Sequence, residues 1–491
     1  MKLRLSSQLA TIFAVLALTG LVEGQSKIQL DQFLALIKTN HPAMEKETLV
    51  PQIETVRRDG FLGGQDIALS VTPSYVSQNP LVTSGFTPTH INQSAFGTKL
   101  EKALWKTGGR LSLGFTSDFT EQNFTTPIVI PGFGDITGLP KFYQNALAIT
   151  YTQPLLQNFG GSLDRLGYEV TQFAVRMAEI RAVENQEAFL LEMALKFLDW
   201  VVLTEQKKIA DGRLDLFGQQ LAQIVSKRKA NLVDKVDVLR SQDAVRISEQ
   251  GAVLVQAQWM AKQAELAVLS ASPELYSQAP QFDLYKRVKR LAVEEYLERL
   301  SAQSRPLHML AIRSSMLERQ QAGLQEMTRP QLFLTSQLSL ISGDVEFGSA
   351  FGLNQGNTGL FLQFQYPLGN RKARAEVRKN RLELRQVALD RADLSLTLEA
   401  TLRSLLIQAD QMERVLALNE RQIETAKQRT DAELLRYNQG RGDLAFVIQA
   451  QDNEEGAALS YAQNAANYHR INLQLLSLID EFLPSPAGTI N

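Results

Sequence analysis

The stretch that decides the fold is "YTQPLLQNFGGSLDR", Tyr151–Arg165, in which a strand-like alternation ends at a Pro-Leu pair and a helix-like pattern follows. "LQFQYPLGNRKARAE", Leu362–Glu376, repeats this order in the second half of the chain. Pro154 and Pro367 therefore mark two strand-to-helix junctions. A chain that makes the same junction twice is predicted to be internally duplicated.

Each junction opens onto a long segment without proline, over 155–272 and 368–483, although the chain contains 16 prolines. Because proline breaks helices, these two windows are where long helices can form. Leucines at heptad spacing support this prediction and are interpreted as packing seams. The seam residues are Leu191, Leu195, Leu198, Val202, Ile209 and Leu216 in the first window, and Leu398, Leu402, Leu405, Ala409, Met412 and Leu416 in the second.

Each window is interrupted once, at "KRKANLVDKVDVLRSQD" (227–243) and at "RYNQGRGDLAFVIQAQD" (436–452). The interruptions align at a constant offset of 209 positions, the difference between Asp443 and Asp234. Each window is therefore predicted to be a helical hairpin, with a first arm about 100 Å long at the rise of an α-helix. Arms of this length indicate a coiled-coil tube or stalk.

The two repeats also begin alike. "LDQFLALIKTNHPA" (30–43) and "EEYLERLSAQSRPL" (294–307) are predicted to be short helices that end before a proline, with strands following them. The first repeat is placed at residues 25–271 with its tip near 231–237, and a linker and the second repeat are placed at 272–491 with the tip near 438–446.

The predicted strands alternate apolar residues with Ser, Thr and Gln, and they lie at 67–75, 147–151, 332–340 and 360–366. This pattern fits either the wall of a membrane barrel or an ordinary antiparallel sheet with one wet face. Four strands are too few to close a barrel, so a barrel would need several chains.

An additional hairpin is predicted at 95–118, around the turn Thr107–Gly109. The segment 119–143, rich in Gly, Pro and Thr, is predicted to be a long loop. The hairpin could widen a barrel or lie outside it, and the sequence leaves both arrangements open.

The N-terminus has the pattern of a signal peptide over residues 1–24. Lys2 and Arg4 precede the apolar run Leu9–Leu18, and small residues follow near Gly24. The run is too short to be a transmembrane helix. Because no cysteine follows it, we expect an exported protein that is not a lipoprotein.

Composition argues against several classes of function. The net charge is −1, with both signs interspersed, so no basic patch indicates nucleic acid. The absence of cysteine excludes thiol chemistry and disulfides, and the four histidines are scattered. No triad, carboxylate pair or phosphate loop is recognisable, so we expect no enzyme activity, cofactor or metal.

The order and spacing of these motifs resemble the TolC-like outer-membrane efflux proteins. The residues that carry the resemblance are "YTQPLLQNFG", "FQYPLGNRKARAEV", "DKVDVLRSQD" and "RYNQGRGDLAFVIQAQD", and it covers the whole mature chain. The resemblance implies a mostly α fold with membrane β-strands, in which long helical hairpins form a periplasmic coiled-coil tunnel. Three chains would share a 12-stranded barrel, each giving four or more strands.

The implied function is the exit duct of a tripartite efflux pump or a type I secretion system. The duct would lie in the outer membrane of a Gram-negative bacterium, with its helices in the periplasm. The implied partners are two further copies of the chain, outer-membrane lipid, a periplasmic adaptor (membrane fusion protein) and an inner-membrane transporter. The alternative is a structural periplasmic coiled-coil stalk or adaptor with a soluble sheet.

The resemblance also implies a latch at the tip, formed by a tyrosine and a carboxylate. Tyr437 and Asp237 match these two positions. The position of the latch arginine holds Gly442, and Arg441 is one residue away. The latch is therefore expected to differ in part from that of the family.

The family narrows its closed pore with a ring of aspartates, whose positions are occupied here by Phe446 and Gln449. A closed gate in this chain would therefore not be an acidic ring. Asp443 and Asp234 are nearby gate candidates, although residues of their type at turns also cap helices.

Overall fold

The computed structural model describes residues 26–84, 86–124, 129–132, 134–135 and 140–483. The predicted signal peptide at 1–24 lies outside these residues. The chain divides into two compact units, and each unit draws on both sequence repeats. The first takes the described parts of Met1–Glu47, Val183–Ser304 and Leu398–Asn491, and the second takes those of Thr48–Ala182 and Arg305–Thr397.

Eight α-helices lie in the described ranges: α1 (Leu30–Asn40), α2 (Pro42–Gly60), α3 (Leu166–Lys229), α4 (Lys235–Leu269), α5 (Val293–Gln303), α6 (Arg305–Glu326), α7 (Arg371–Asn438) and α8 (Leu444–Leu478). The pairs α3–α4 and α7–α8 are the two predicted hairpins, with first arms of 64 and 68 residues. α4 and α8 both have 35 residues and begin 209 positions apart (444 minus 235), which is the predicted offset. None of the helices in these ranges is apolar enough over its length to cross a membrane.

Each of the two predicted short helices, α1 and α5, is followed by a second helix that was not predicted. α1 and α5 end before the prolines, as expected, but α2 and α6 start there and delay the strands. Proline is tolerated in the first helical turn, where its missing N–H has no intrahelical partner. Pro42 and Pro306 therefore begin helices here rather than only ending them.

Ten strands follow in the described ranges: β1 (Ser26–Gln29), β2 (Ala68–Gln78), β3 (His90–Leu104), β4 (Gly109–Asn123), β5 (Val129–Ile130), β6 (Gly134–Asp135), β7 (Lys141–Pro154), β8 (Gln278–Gln281), β9 (Gln331–Asp344) and β10 (Gln355–Gln365). Six of them form one antiparallel sheet in the order β10-β9-β7-β4-β3-β2. The remaining strands form the small pairs β1–β8 and β5–β6. The prediction of four or more long strands is confirmed.

The additional hairpin is longer than predicted. Its strands, β3 and β4, are 15 residues each and replace the expected 95–118. The prediction of a loop over 119–143 is wrong at both ends, because 119–123 belong to β4 and 141–143 to β7. Alternation continues through Phe119 and Tyr143, where the abundant Thr and Gly had suggested a turn.

The first unit has its own apolar core. The seam of α7 is confirmed at Leu402, Ala409 and Leu416, which are almost fully buried. The seam of α3 is only partly confirmed, since Leu198 and Val202 are buried but Leu216 is 42% exposed. A helix packed on more than one side buries a wider stripe than one heptad seam. The additional buried residues of α3 are Leu190, Met193, Ala194, Phe197, Trp200 and Val201.

Candidate functional site

One face of the six-stranded sheet is apolar and exposed. Directly opposite residues of antiparallel strands point to the same side, so the register traces a face from strand to strand. One such row crosses the sheet from β2 to β9 through Leu69, Leu100, Leu113, Ile149 and Leu338. These five side chains are between 40% and 65% exposed. The face continues onto β10 at Leu360, Leu362 and Phe364.

The opposite face of the same sheet is polar. The adjacent row of directly opposite residues, one residue away from the apolar row in each strand, is Ala68, Glu101, Ser112, Thr150 and Gln337. Glu101 in this row accepts hydrogen bonds from Lys99 Nζ at 2.5 Å and from Arg110 Nη1 at 3.3 Å. Long strands with one apolar and one polar face are the pattern of an outer-membrane barrel wall. The sheet can therefore border hydrocarbon on one side and water on the other.

Aromatic rings gather at one end of the apolar face. The ring centroids of Phe119 and Tyr143 are 4.7 Å apart, and Tyr143 is 5.5 Å from Phe347 in the β9–β10 connection. Phe347 in turn contacts Phe351 at 5.0 Å. Membrane barrels carry aromatic girdles at the level of the lipid headgroups. Sequence patterns did not identify this cluster, because Phe347 and Phe351 lie between strands.

The first strand-to-helix junction is fastened to the turn of the β3–β4 hairpin. Pro154 ends β7, and the backbone N–H of Gly160 donates to Thr107 O at 3.1 Å. Arg165 Nη1 donates to Trp105 O at 2.7 Å. Gly161 has φ +68°, and a Cβ there would run into the Trp105 carbonyl. The Gly pair of the opening stretch thus allows the hairpin turn to approach the backbone closely.

The second junction has a simpler structure. Pro367 lies between β10 and α7, and Gly369 follows with φ +93°. A Cβ at Gly369 would meet only the side chain of Arg371, at 4.0 Å. Asn370, with φ +42°, donates from its side-chain amide to Thr328 O at 2.9 Å. The contacts of Asn370 and Gly369 thus involve no hairpin turn.

The hairpin tips place two of the predicted aspartates at equivalent positions with different roles. Asp234 and Asp443 are the N-cap residues of α4 and α8. Asp443 accepts a hydrogen bond from the backbone of Ala445 at 2.8 Å, whereas Asp234 makes no side-chain cap bond. Asp443 also accepts from Arg240 Nη1 at 2.9 Å, and this pair joins the two hairpins.

Tyr437 packs at the tip with Ile224 and Val447, and Lys227 Nζ lies 5.0 Å from the centre of its ring. Among the residues that the structure describes, the Tyr437 hydroxyl has no hydrogen-bond partner. Burial, together with the carboxylates of Asp237 and Asp443, raises the pKa of this hydroxyl. The latch bond between Tyr437 and Asp237 that the resemblance implies is therefore not formed within one described chain.

Asp237 lies instead 3.7 Å from the guanidinium of Arg240. Arg441, Phe446 and Gln449 are exposed at the tip. Gly442 occupies the position of the latch arginine. A side chain at this position would be crowded, because its Cβ would lie 3.0 Å from the Tyr437 backbone nitrogen.

Two tip contacts were not anticipated from the sequence. Lys227 Nζ donates to Asn438 Oδ1 at 3.1 Å, and Arg240 joins Asp443 from 203 positions away.

Within the described ranges, no cluster of His, Asp or Glu has the grouping of a metal site.

Comparison with solved structures finds the same architecture in bacterial outer-membrane channels. CusC, whose structures concern transmembrane channel formation, matches with a TM-score of 0.66 at 11% identity over 92% of both chains. The outer membrane protein VceC of Vibrio cholerae matches with 0.64 at 10% identity, over 92% of this chain and 95% of its own. The open MtrE outer membrane channel of Neisseria gonorrhoeae matches with 0.64 at 12% identity, over 92% and 89%.

No protein-family model matches the sequence, and no curated protein matches it significantly. The similarity is therefore one of fold over nearly the whole chain. The chain has the fold of the TolC-like outer-membrane channels, as its sequence motifs predicted.

Proposed function

We propose that the protein is the outer-membrane exit duct of a tripartite efflux pump or type I secretion system, assembled from three copies. The observation that carries this proposal is the exposed apolar row from Leu69 to Leu338 on a sheet with a polar opposite face. The sheet ends at β2 and β10, and neither edge is paired with another described strand. Closed barrels need about eight strands or more, so six strands require further copies.

Exposed apolar stripes on two helices of the second unit also favour association of copies. On α2, Leu49, Ile53 and Val56 are 45%, 64% and 72% exposed. On α7, Leu382, Leu389 and Leu396 follow one another at heptad spacing and are 60–68% exposed. Stripes with this spacing normally pack against other helices. We assign both stripes to contacts between neighbouring copies.

A matched pair of variants on β10 separates the duct from the soluble-stalk alternative. Leu362→Arg places a charge on the apolar face, where lipid would make it cost about 2–4 kcal/mol near the membrane centre. Gln363→Arg places the same charge on the polar face. We expect Leu362→Arg to prevent assembly in the outer membrane and Gln363→Arg to be tolerated. Membrane fractionation and detergent-gel mobility measure the result, and a wild-type chain that remains wholly soluble would refute the duct.

The tip is proposed to be the gate and the docking end for a periplasmic adaptor, with an inner-membrane transporter supplying the energy. Arg240 joins the two hairpins through Asp443, and three copies would repeat this pair three times. One half-exposed ion pair contributes about 0–1 kcal/mol. Losing all three pairs would therefore shift the equilibrium between the closed and open states modestly toward the open state.

Single-channel conductance in planar bilayers tests the gate. Arg240→Ala is expected to raise conductance. Tyr437→Phe alone is expected to leave it unchanged, because the hydroxyl has no hydrogen-bond partner among the described residues. If Tyr437→Phe alone opens the channel while Arg240→Ala does not, a tyrosine latch holds the tip.

A further inference from the structure

We propose that the β3–β4 hairpin is part of the membrane wall, so that each copy contributes six strands and the trimeric barrel has eighteen. This inference rests on the proposed duct function and concerns how its wall is built. The hairpin lies between β2 and β7, which are the neighbours that a four-stranded wall would bring together. Inserting two antiparallel strands keeps the up-and-down alternation of the sheet intact.

The pairing of the hairpin with its neighbours extends along its length. β3 and β4 pair from His90–Asn123 to Leu104–Gly109. β4 then pairs with β7 from Arg110–Thr152 to Glu121–Lys141. A hairpin that only capped the barrel from outside would leave β7 free to pair with β2 instead.

The faces of the hairpin agree with those of the flanking strands. Leu100 and Leu113 occupy the apolar row between Leu69 and Ile149. Phe96 continues the same face of β3 and is 46% exposed. Two charged residues of β3, Lys99 and Glu101, lie on the polar side and pair with each other, whereas Lys102 lies on the apolar side opposite Leu111, close to the turn. The hairpin thus carries the lipid face and the water face in register with the rest of the wall.

The turn of the hairpin is also built into the first junction. Gly109 leaves room for Tyr151 of β7, whose hydroxyl would lie 2.7 Å from a Cβ at this position. Gln153 Nε2 donates to Thr107 O at 2.8 Å. These contacts, with those of Gly160 and Arg165, anchor the turn beside the end of β7. The hairpin is therefore fixed at its turn as well as along its strands.

An eighteen-stranded wall changes the width of the pore. Strands about 4.8 Å apart and tilted by about 40° give a barrel about 24 Å across for twelve strands and about 36 Å across for eighteen. Barrels of 16–18 strands leave an open aqueous channel. The membrane part of this duct would therefore not be its narrowest point.

Two pairs of introduced cysteines distinguish the arrangements, because the chain has no cysteine of its own. Ser112→Cys with Thr150→Cys places thiols on adjacent strands. Ala68→Cys with Thr150→Cys uses the same partner and the same row, but the residues are three strands apart, about 14 Å. A short bifunctional thiol reagent should join the first pair and not the second, as read by mass spectrometry of digested trimers.

Cryo-electron microscopy of the wild-type trimer in lipid nanodiscs provides an independent count. Eighteen strands are expected. Twelve strands with the hairpin outside, or cross-linking of the second cysteine pair in place of the first, would overturn the inference while leaving the duct intact. Native mass spectrometry identifies the remaining case, because two copies of six strands also make twelve. A chain that neither inserts nor oligomerises would remove the duct and this inference together.

Discussion

The two repeats match in their helices and differ in their strands. The return helices α4 and α8 have the same length, and the first arms differ by four residues (68 minus 64). The first repeat nevertheless supplies β2, β3, β4 and β7 to the sheet, whereas the second supplies only β9 and β10. Helical arms that pack side by side must keep similar lengths and a common seam. An antiparallel sheet, in contrast, accepts an inserted hairpin without reversing any strand.

The repeats also differ in how they fill equivalent core positions. Trp200 and Ala409 are related by the offset of 209, and both are fully buried. Trp200 contacts the rings of Phe197 and Trp259, at centroid distances of 6.0 Å and 6.3 Å. At these equivalent core positions, the first repeat thus buries an indole ring and the second repeat buries a methyl group.

The largest expected effect comes from giving the first repeat the alanine that the second repeat has at the equivalent position. Trp200→Ala should lower the free energy of unfolding by about 3–5 kcal/mol, because it removes apolar contacts and leaves a cavity. Trp200→Phe is the control and should cost less, since the indole N–H has no hydrogen-bond partner in the described chain. Chemical denaturation followed by circular dichroism measures both. Equal losses for the two variants would contradict the packing role.

The two junctions provide the next comparison. Gly161 and Gly369 both have positive φ, so alanine at either position adds strain of about 1–2 kcal/mol. Only at Gly161 would the new Cβ also displace the hairpin turn at Trp105, which carries hydrogen bonds of about 1 kcal/mol each. Gly161→Ala should therefore lower the dissociation temperature of the proposed trimer more than Gly369→Ala. A reversed order would mean that the hairpin turn is not held by this junction.

Proline-free windows and heptad leucines were sufficient to predict the long hairpins and their offset. They could not predict α2, because Pro42 and Pro51 lie within it and proline was taken to interrupt helices. Alternation located the strands, but the pairing of β3 and β4 inside the sheet depends on contacts between distant segments. For the same reason the Arg240–Asp443 pair was not predicted, whereas the capping role of Asp443 follows from its position before a helix.

The two tips differ in capping, and this gives a smaller expected effect. Asp443→Ala removes a cap bond of about 1 kcal/mol, so amide exchange in the first turn of α8 should rise roughly five-fold. Asp234→Ala should leave the first turn of α4 unchanged, because Asp234 makes no cap bond. Asp443→Asn keeps a good cap without the charge and should retain the protection. Hydrogen-exchange mass spectrometry measures all three, and equal effects at both tips would contradict the assignment.

The smallest expected effect concerns His469 of α8, which corresponds to Met260 of α4 at the offset of 209. His469 is buried and its Nε2 donates to Leu284 O at 3.0 Å, whereas Met260 is 55% exposed. Burial lowers the pKa of His469, so the folded chain keeps the ring neutral. As the pH falls through about 6.5, the unfolded chain binds a proton first and the folded state loses stability. Each unit of pKa separation contributes about 1.4 kcal/mol once the pH is below both values.

We expect the unfolding free energy of the wild type to fall more between pH 7.5 and 5.5 than that of His469→Gln, which keeps an amide donor but cannot titrate. The same pH dependence in both proteins would show that His469 does not distinguish the two repeats in this way.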